Sequence, residues 1–383
     1  MYCLFKSGVG CIAYFRSSPY CVHETSFILL CVICWTWEAA RLLAADQDVG
    51  VEMSVIDCPE KPVIGKDTPG SEGNRHGFEG GRAVKLGDAY HVFTSEMIDD
   101  PRGVKMKLAH WKSDKLHQWK RVSTLYESSA KFDGSDPRAA LWSPMPIWNE
   151  QSGRWNLFYV AYRAAANTPD KWLLNYEGRI YRAVSITPGK EGIGGPYEDR
   201  SVILEPDLNS QPWEGLQGVD SFFPYQVGDR WYGFYGSANT EVVPCKYWRV
   251  GLASAERLAG PWKRLPEGNP TQLEKTWGVE NPVVTRLPSG RYVVLFAVIN
   301  GPPDRLGYAS SDNGAQWSPA RHLILKESKN WLESVRTVLG LFEGEDGRYT
   351  LFYTGGWRSP DKDEVYYSVG LISVLLNEPA KNK

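Results

Sequence analysis

Residues 280–297 read ENPVVTRLPSGRYVVLFA. An acid opens the segment, an apolar run follows, Ser-Gly breaks it, and an aromatic-rich apolar run returns. Two such runs on either side of a glycine turn describe a β-hairpin, because the tight turns that match strand twist need positive φ. The same form recurs at residues 79–95 (EGGRAVKLGDAYHVFTS), 142–162 (WSPMPIWNEQSGRWNLFYVAY), 220–236 (DSFFPYQVGDRWYGFYG) and 336–355 (RTVLGLFEGEDGRYTLFYTG). The turns GDAY, SGRW, GDRW, SGRY and DGRY each place glycine shortly before the aromatic.

The repeats begin 56 to 78 residues apart, room for four short strands each. Third strands follow at residues 104–111 (VKMKLAHW), 178–185 (GRIYRAVS), 247–254 (YWRVGLAS), 304–311 (DRLGYASS) and 365–372 (VYYSVGLI). Several units then show a tryptophan turn, as in HQWKRV, GPWKRL and AQWSPA. Short strands repeating at this period, without heptads or long amphipathic helices, predict an all-β, five-bladed β-propeller with a central funnel-shaped site. Residues 46–383 are then one catalytic domain. The last unit is short of a strand, and residues 51–56 (VEMSVI) are expected to supply it. A sandwich of the same strands is the alternative, and most of the 16 Trp are expected to pack between sheets rather than meet a ligand.

Composition narrows the function. The chain of 383 residues carries 43 Lys+Arg against 45 Asp+Glu, so no basic field exists to hold nucleic acid. The six histidines are scattered, and neither a G-x-S-x-G elbow, a Walker loop nor a dinucleotide fingerprint is present, so neither a metal nor a cofactor is expected. Five of the seven cysteines fall within residues 1–34, leaving Cys58 and Cys245, between which a bridge stays open. Residues 26–37 (SFILLCVICWTW) form a short apolar run behind Lys6 and Arg16 and ahead of small residues. That is too short for a stable membrane span and fits the core of a signal peptide. Residues 1–45 are therefore expected to be a signal peptide of a periplasmic or extracellular protein, or else a non-native extension.

In a propeller the first strand of every blade lines the central channel. The first residues of the repeats are Glu79, Trp142, Asp220, Glu280 and Arg336. Acids in front of apolar segments such as DSFFPY and ENPVV are costly unless paired or functional. Acids around a pocket with aromatic platforms suit glycoside hydrolysis, in which one carboxylic acid protonates the leaving oxygen and a carboxylate activates water. Trp142 and Phe222 are the candidate sugar platforms. Arg82, Asn281 and Arg336 are candidates to bind hydroxyls or orient a carboxylate, and ordinary salt bridging of the acids with Arg82 and Arg336 is the competing reading.

At these residues the chain resembles glycoside hydrolase family 43 and its relatives, the five-bladed propeller glycosidases. The resemblance covers most of residues 75–376 and implies an inverting reaction. It places Glu79 as base, Asp220 in GVDSFFPY as pKa modulator and Glu280 in GVENPVV as acid. Two departures stand out: the family has aspartate where this chain has Glu79, and many relatives have a calcium-holding histidine where this chain has Arg336. A cation there argues against calcium, and the chain reads as an outlying member. The function expected is hydrolysis of a terminal or internal bond in an oligosaccharide or polysaccharide. A phosphate-dependent phosphorylase using Arg82 and Arg336, and a non-catalytic carbohydrate-binding propeller, are the alternatives.

Overall fold

The computed structural model describes residues 50–326, 331–358 and 364–379. They belong to a unit that begins at Gly50. The leader or extension expected at residues 1–45 lies outside the described residues. Among those described, no helix is long and apolar enough to cross a membrane.

The regular elements among the described residues are strands, apart from one turn of 3-10 helix at Lys190–Gly194. They are β1 (Glu52–Asp57); β2 (Gly77–Leu86), β3 (Ala89–Asp99), β4 (Lys105–Lys115) and β5 (Gln118–Glu127); and β6 (Ala140–Asn149), β7 (Arg154–Arg163), β8 (Tyr176–Ser185) and β9 (Tyr197–Leu204). There follow β10 (Asp220–Val227), β11 (Arg230–Ala238), β12 (Trp248–Ala255) and β13 (Lys263–Arg264); β14 (Gly278–Arg286), β15 (Tyr292–Ile299), β16 (Arg305–Ser311) and β17 (Arg321–Ile324); and β18 (Ser334–Glu343), β19 (Arg348–Arg358) and β20 (Val365–Asn377).

Strands β6 to β9, β10 to β13 and β14 to β17 are separate four-stranded sheets. The remaining eight strands share one sheet, in which the run β18-β19-β20-β1 meets the run β2-β3-β4-β5 at a single parallel pairing, Gly77 with Tyr367. Glycine is required there: at φ +90° a Cβ on Gly77 would run into the Tyr367 carbonyl oxygen. As the repeat pattern predicted, β1 pairs antiparallel with β20 and completes the last group of strands, Met53 lying opposite Leu376. The four-stranded units are propeller-like blades, and their first strands touch in the closed order β2, β6, β10, β14, β18 and back to β2.

Stacking of sheets face to face explains the sequence of the inner strands. With both faces covered, β15 (YVVLFAVI) is a continuous apolar run in which Val293, Val294, Leu295 and Phe296 are fully buried. Trp111, Trp119, Trp155, Trp213, Trp262 and Trp331 are likewise buried, which is the packing role expected for most tryptophans. Cys58 and Cys245 are free thiols, so the bridge left open by the sequence is not formed.

Two histidines are buried between β3 and β4. His91 Nδ1 and His110 Nε2 are 2.8 Å apart, and the His110 ring stacks on Phe93 at 4.5 Å. Burial, with Lys112 adding repulsion, pushes His91 down to about 4, and burial with the His91 charge takes His110 down to about 3. The unfolded chain takes up protons below about pH 6.5 while the folded chain refuses them, so stability is lost as pH falls from there through the folded values. At pH 4.5 the loss should be on the order of 3–5 kcal/mol relative to neutral pH. Chemical unfolding across pH should show this slope, and it should flatten in a His91→Gln, His110→Gln double variant; an unchanged slope would place the acid sensitivity elsewhere.

Candidate active site

Each first strand breaks its register at the same place, next to the residue that opens its repeat. The irregularities fall between Glu79 and Gly81, Trp142 and Met145, Asp220 and Phe223, Glu280 and Val283, and Val335 and Thr337. Gly80, Ser143, Ser221 and Asn281 take positive φ of 65°, 53°, 53° and 52°. A bulge of this kind re-aims the neighbouring side chain. The result is that Glu79, Trp142, Asp220, Glu280 and Arg336 all face one cavity of about 660 Å³.

The bulges also tie neighbouring strands together. Ser221 Oγ donates to Asn281 Oδ1 at 3.1 Å, and Asn281 Nδ2 donates to Thr337 Oγ1 at 3.3 Å. Ser143 N donates to Ser95 Oγ, and a Cβ on Gly80 would stand 2.9 Å from Ser143 Oγ. Small residues are needed at these points because adjacent strands approach closely. Asn281, expected to bind substrate, does line the cavity, but its amide is spent on this ring of contacts.

All three carboxylates are buried, at 7 % exposure for Glu79, 5 % for Asp220 and 7 % for Glu280. Arg336 stands between two of them: its Nε is 2.5 Å from Glu79 Oε1 and its Nη1 is 2.5 Å from Glu280 Oε2. Burial acts to lower the Arg336 pKa, but the charges of Glu280 and Glu79 outweigh it and hold the guanidinium firmly protonated. Burial raises Glu79, while Arg336 opposes the shift and Glu280 adds to it. Asp220 is pushed up to about 7 by burial and by the nearby Glu280 charge, against hydrogen bonds from Tyr162 and Ser221. The Ser221 amide donates to Asp220 Oδ1 at 2.6 Å, and Gln217 Nε2 reaches Oδ2 at 3.5 Å.

One guanidinium gripping two carboxylates bounds their separation. The two bonded oxygens lie at most about 7 Å apart, given roughly 2.3 Å between guanidinium nitrogens. That range admits the short end of the 6.5–9.5 Å gap of inverting enzymes and also the roughly 5 Å of retaining ones. The family calcium does not fit these residues, since a guanidinium already occupies the point between the carboxylates.

Two expected ligand contacts are corrected. Phe222 is 1 % exposed and packs against Phe158 and Trp262 at 5.3 and 5.0 Å, so it is no sugar platform. With Ser221 in the left-handed region, Asp220 turns to the cavity and the next aromatic turns into the core. Arg82 is not in the cavity wall either: it donates to the Pro146 carbonyl at 2.8 Å and lies over the Phe223 ring. Burial lowers its pKa to about 10.

Other lining residues had no sequence signal at a repeat position. Tyr162 is the penultimate residue of β7, Gln217 precedes Asp220 by three residues, and Trp248 begins β12. Loops 167–176 and 241–247 contribute Trp172, Asn175 and Val243 to Cys245. Trp172 is 44 % exposed, and its backbone N–H donates to Thr240, joining the two loops. Trp142 is held by hydrogen bonds from Nε1 to Gly103 O and Asn175 Oδ1 at 3.2 and 3.3 Å.

Solved structures share this architecture. Zg3597, a family 117 glycoside hydrolase of the marine bacterium Zobellia galactanivorans, superposes with a TM-score of 0.58 at 12 % identity, over 86 % of this chain and 92 % of its own. The α-L-arabinofuranosidase PaAbf62A of Podospora anserina gives 0.54 at 14 %, over 84 % and 96 %, and a thermostable family-43 glycoside hydrolase gives 0.54 at 13 %, over 84 % and 97 %. The fold is related to that of family 43-type propeller glycosidases. At these identities the likeness is one of fold, and the chain matches no family model and no curated protein.

Proposed function

We propose that the protein is a glycosidase built on a five-bladed propeller, with residues 46–383 as its catalytic domain and the cavity as the central funnel where a glycosidic bond is hydrolysed with inversion. The observation that carries this reading is the convergence of Glu79, Asp220 and Glu280 in one cavity walled by Trp142, Trp172 and Trp248. Glu280 is the acid: its proton passes to the glycosidic oxygen as the bond to the anomeric carbon breaks. Glu79 is the base: it takes a proton from the water that attacks the opposite face. Arg336 opposes the upward push that burial exerts on Glu79, the direction that suits a base. Asp220, raised to about 7 by burial and by the nearby Glu280 charge, holds a proton near neutral pH. The phosphorylase alternative loses its two-arginine anion site, because Arg82 is turned away from the cavity.

The test is sugar release from a broad panel of plant and algal oligosaccharides, with the first-formed anomer read by proton NMR. Release with inverted configuration is expected. A retained anomer would reassign Glu79 as nucleophile, and sugar binding without release would favour the binding propeller. Trp142→Ala should raise KM roughly tenfold with a smaller change in kcat, since it removes a platform and leaves the acids in place.

Asp220→Asn gives a prediction of opposite sign for stability and turnover. Below the unfolded value of 3.8 the carboxyl is protonated in both states, and wild type and variant should be about equally stable. As pH rises through about 7, the folded protein must ionise a buried group next to Glu280, and the stability associated with the neutral form is lost. The variant should therefore unfold at a higher temperature than wild type at pH 8, by an amount corresponding to about 1–4 kcal/mol, while turnover falls. Equal melting temperatures at pH 8 would show that Asp220 is not under this load.

A further inference from the structure

The glycosidase reading leaves one difficulty, and its resolution names a substrate class. Glu280 must hold a proton before the bond breaks, yet its Oε2 lies 2.5 Å from Arg336 Nη1, a partner that favours the ionised form. Something must take Arg336 away from Glu280. Sugar hydroxyls are neutral dipoles and compete poorly with a carboxylate for a guanidinium.

We propose that the substrate is an acidic sugar, a glycoside bearing a carboxylate, and that this carboxylate replaces Glu280 on Arg336. The guanidinium is placed for the exchange. It lines the cavity and keeps a quarter of its side-chain surface exposed. Glu79 holds it through Nε and Glu280 through Nη1, while Nη2 makes no ion pair among the described residues. An incoming carboxylate can bind the Nη1–Nη2 edge with two parallel hydrogen bonds, a stronger grip than the single-point hold of Glu280. Arg102 supplies a second positive charge. Its guanidinium lies 5.0 Å from the centre of the Tyr367 ring, no carboxylate among the described residues is within ion-pair distance of it, and its charge acts on Glu79.

The exchange also frees the acid. Once the ligand carboxylate occupies Arg336, the contact between Arg336 Nη1 and Glu280 Oε2 is broken and Glu280 can turn to the glycosidic oxygen. Neutral glycosides leave that contact in place, so they bind to a site that stays locked.

Isothermal titration of the whole protein near pH 6.5, with glucuronate, galacturonate, glucose, galactose and inorganic phosphate, tests this directly. The uronates should bind, and the neutral sugars should bind at least roughly tenfold more weakly. Arg336→Gln should weaken uronate binding roughly 10- to 100-fold. Because that variant leaves two buried carboxylates without a countercharge and can fail to fold, Glu280→Gln is the companion: with the competitor gone, uronate should bind tighter than to wild type. Equal affinity for neutral and acidic sugars, no uronate binding, or binding unaffected in both variants overturns the proposal. So does phosphate binding tighter than either uronate, which would point to phosphorolysis instead. Hydrolysis of neutral oligosaccharides as fast as of acidic ones would overturn it while leaving the glycosidase reading intact.

Discussion

Glu280→Gln is expected to lower kcat on an unactivated glycoside by about 10²- to 10⁴-fold, the usual contribution of a positioned general acid. The amide keeps the shape of the side chain and its 7 % exposure but has no acidic proton to give the leaving oxygen. The size of the loss should depend on the leaving group. An aryl glycoside whose phenol leaves readily as an anion needs little protonation, so the variant should cleave it at a rate much closer to wild type. An equal loss on both substrates would remove Glu280 from the acid role even if activity collapsed, because a structural lesion does not distinguish leaving groups.

Glu79→Gln should cost a comparable factor, about 10²- to 10⁴-fold, but with no dependence on the leaving group, because the missing step is activation of water. Glu79 and Glu280 each lie 2.5 Å from a different nitrogen of the same guanidinium, Nε and Nη1, so both reach a substrate bound at that point. Azide needs no base. Added azide should restore turnover in Glu79→Gln and give a glycosyl azide of inverted configuration, whereas it should do nothing for Glu280→Gln on an unactivated substrate. Rescue of the Glu280 variant and not of the Glu79 variant would exchange the two assignments. A glycosyl azide of retained configuration from Glu280→Gln would mean that Glu79 forms a covalent intermediate, which azide then attacks.

Much of the fold was legible because its signal is local. A hairpin is specified within fewer than twenty residues by apolar runs and a glycine that accepts positive φ, and this chain writes that signal at Glu79, Trp142, Asp220, Glu280 and Arg336. Even the pairing of β1 with β20 followed from counting strands, since a unit short of a strand leaves an edge that the opposite end of the chain can cover. The acids were legible for a related reason: a carboxylate at the head of an apolar strand is expensive, and its recurrence in register marks one place in space.

Which way a side chain faces was not legible, and the two corrected residues show why. Phe222 and Arg82 lie close to site residues in the sequence, but Phe222 falls within a bulge and Arg82 just beyond one. One inserted residue in a structure of period two reverses the face of everything beyond it. Ser221 carries no mark in the sequence that it would adopt a left-handed conformation and send Phe222 into the core.

By itself, then, the sequence determined a repeating β-hairpin architecture and the set of acids that its first strands present. Only the tertiary structure decided that Arg336 grips Glu79 and Glu280 at once, that Asp220 is raised toward neutrality, and that Arg82 stands apart. Those are relations between residues as much as 257 positions apart in the chain. Their distances and charges come into being when the first strands close on one another, and a pattern read along the chain has no access to them.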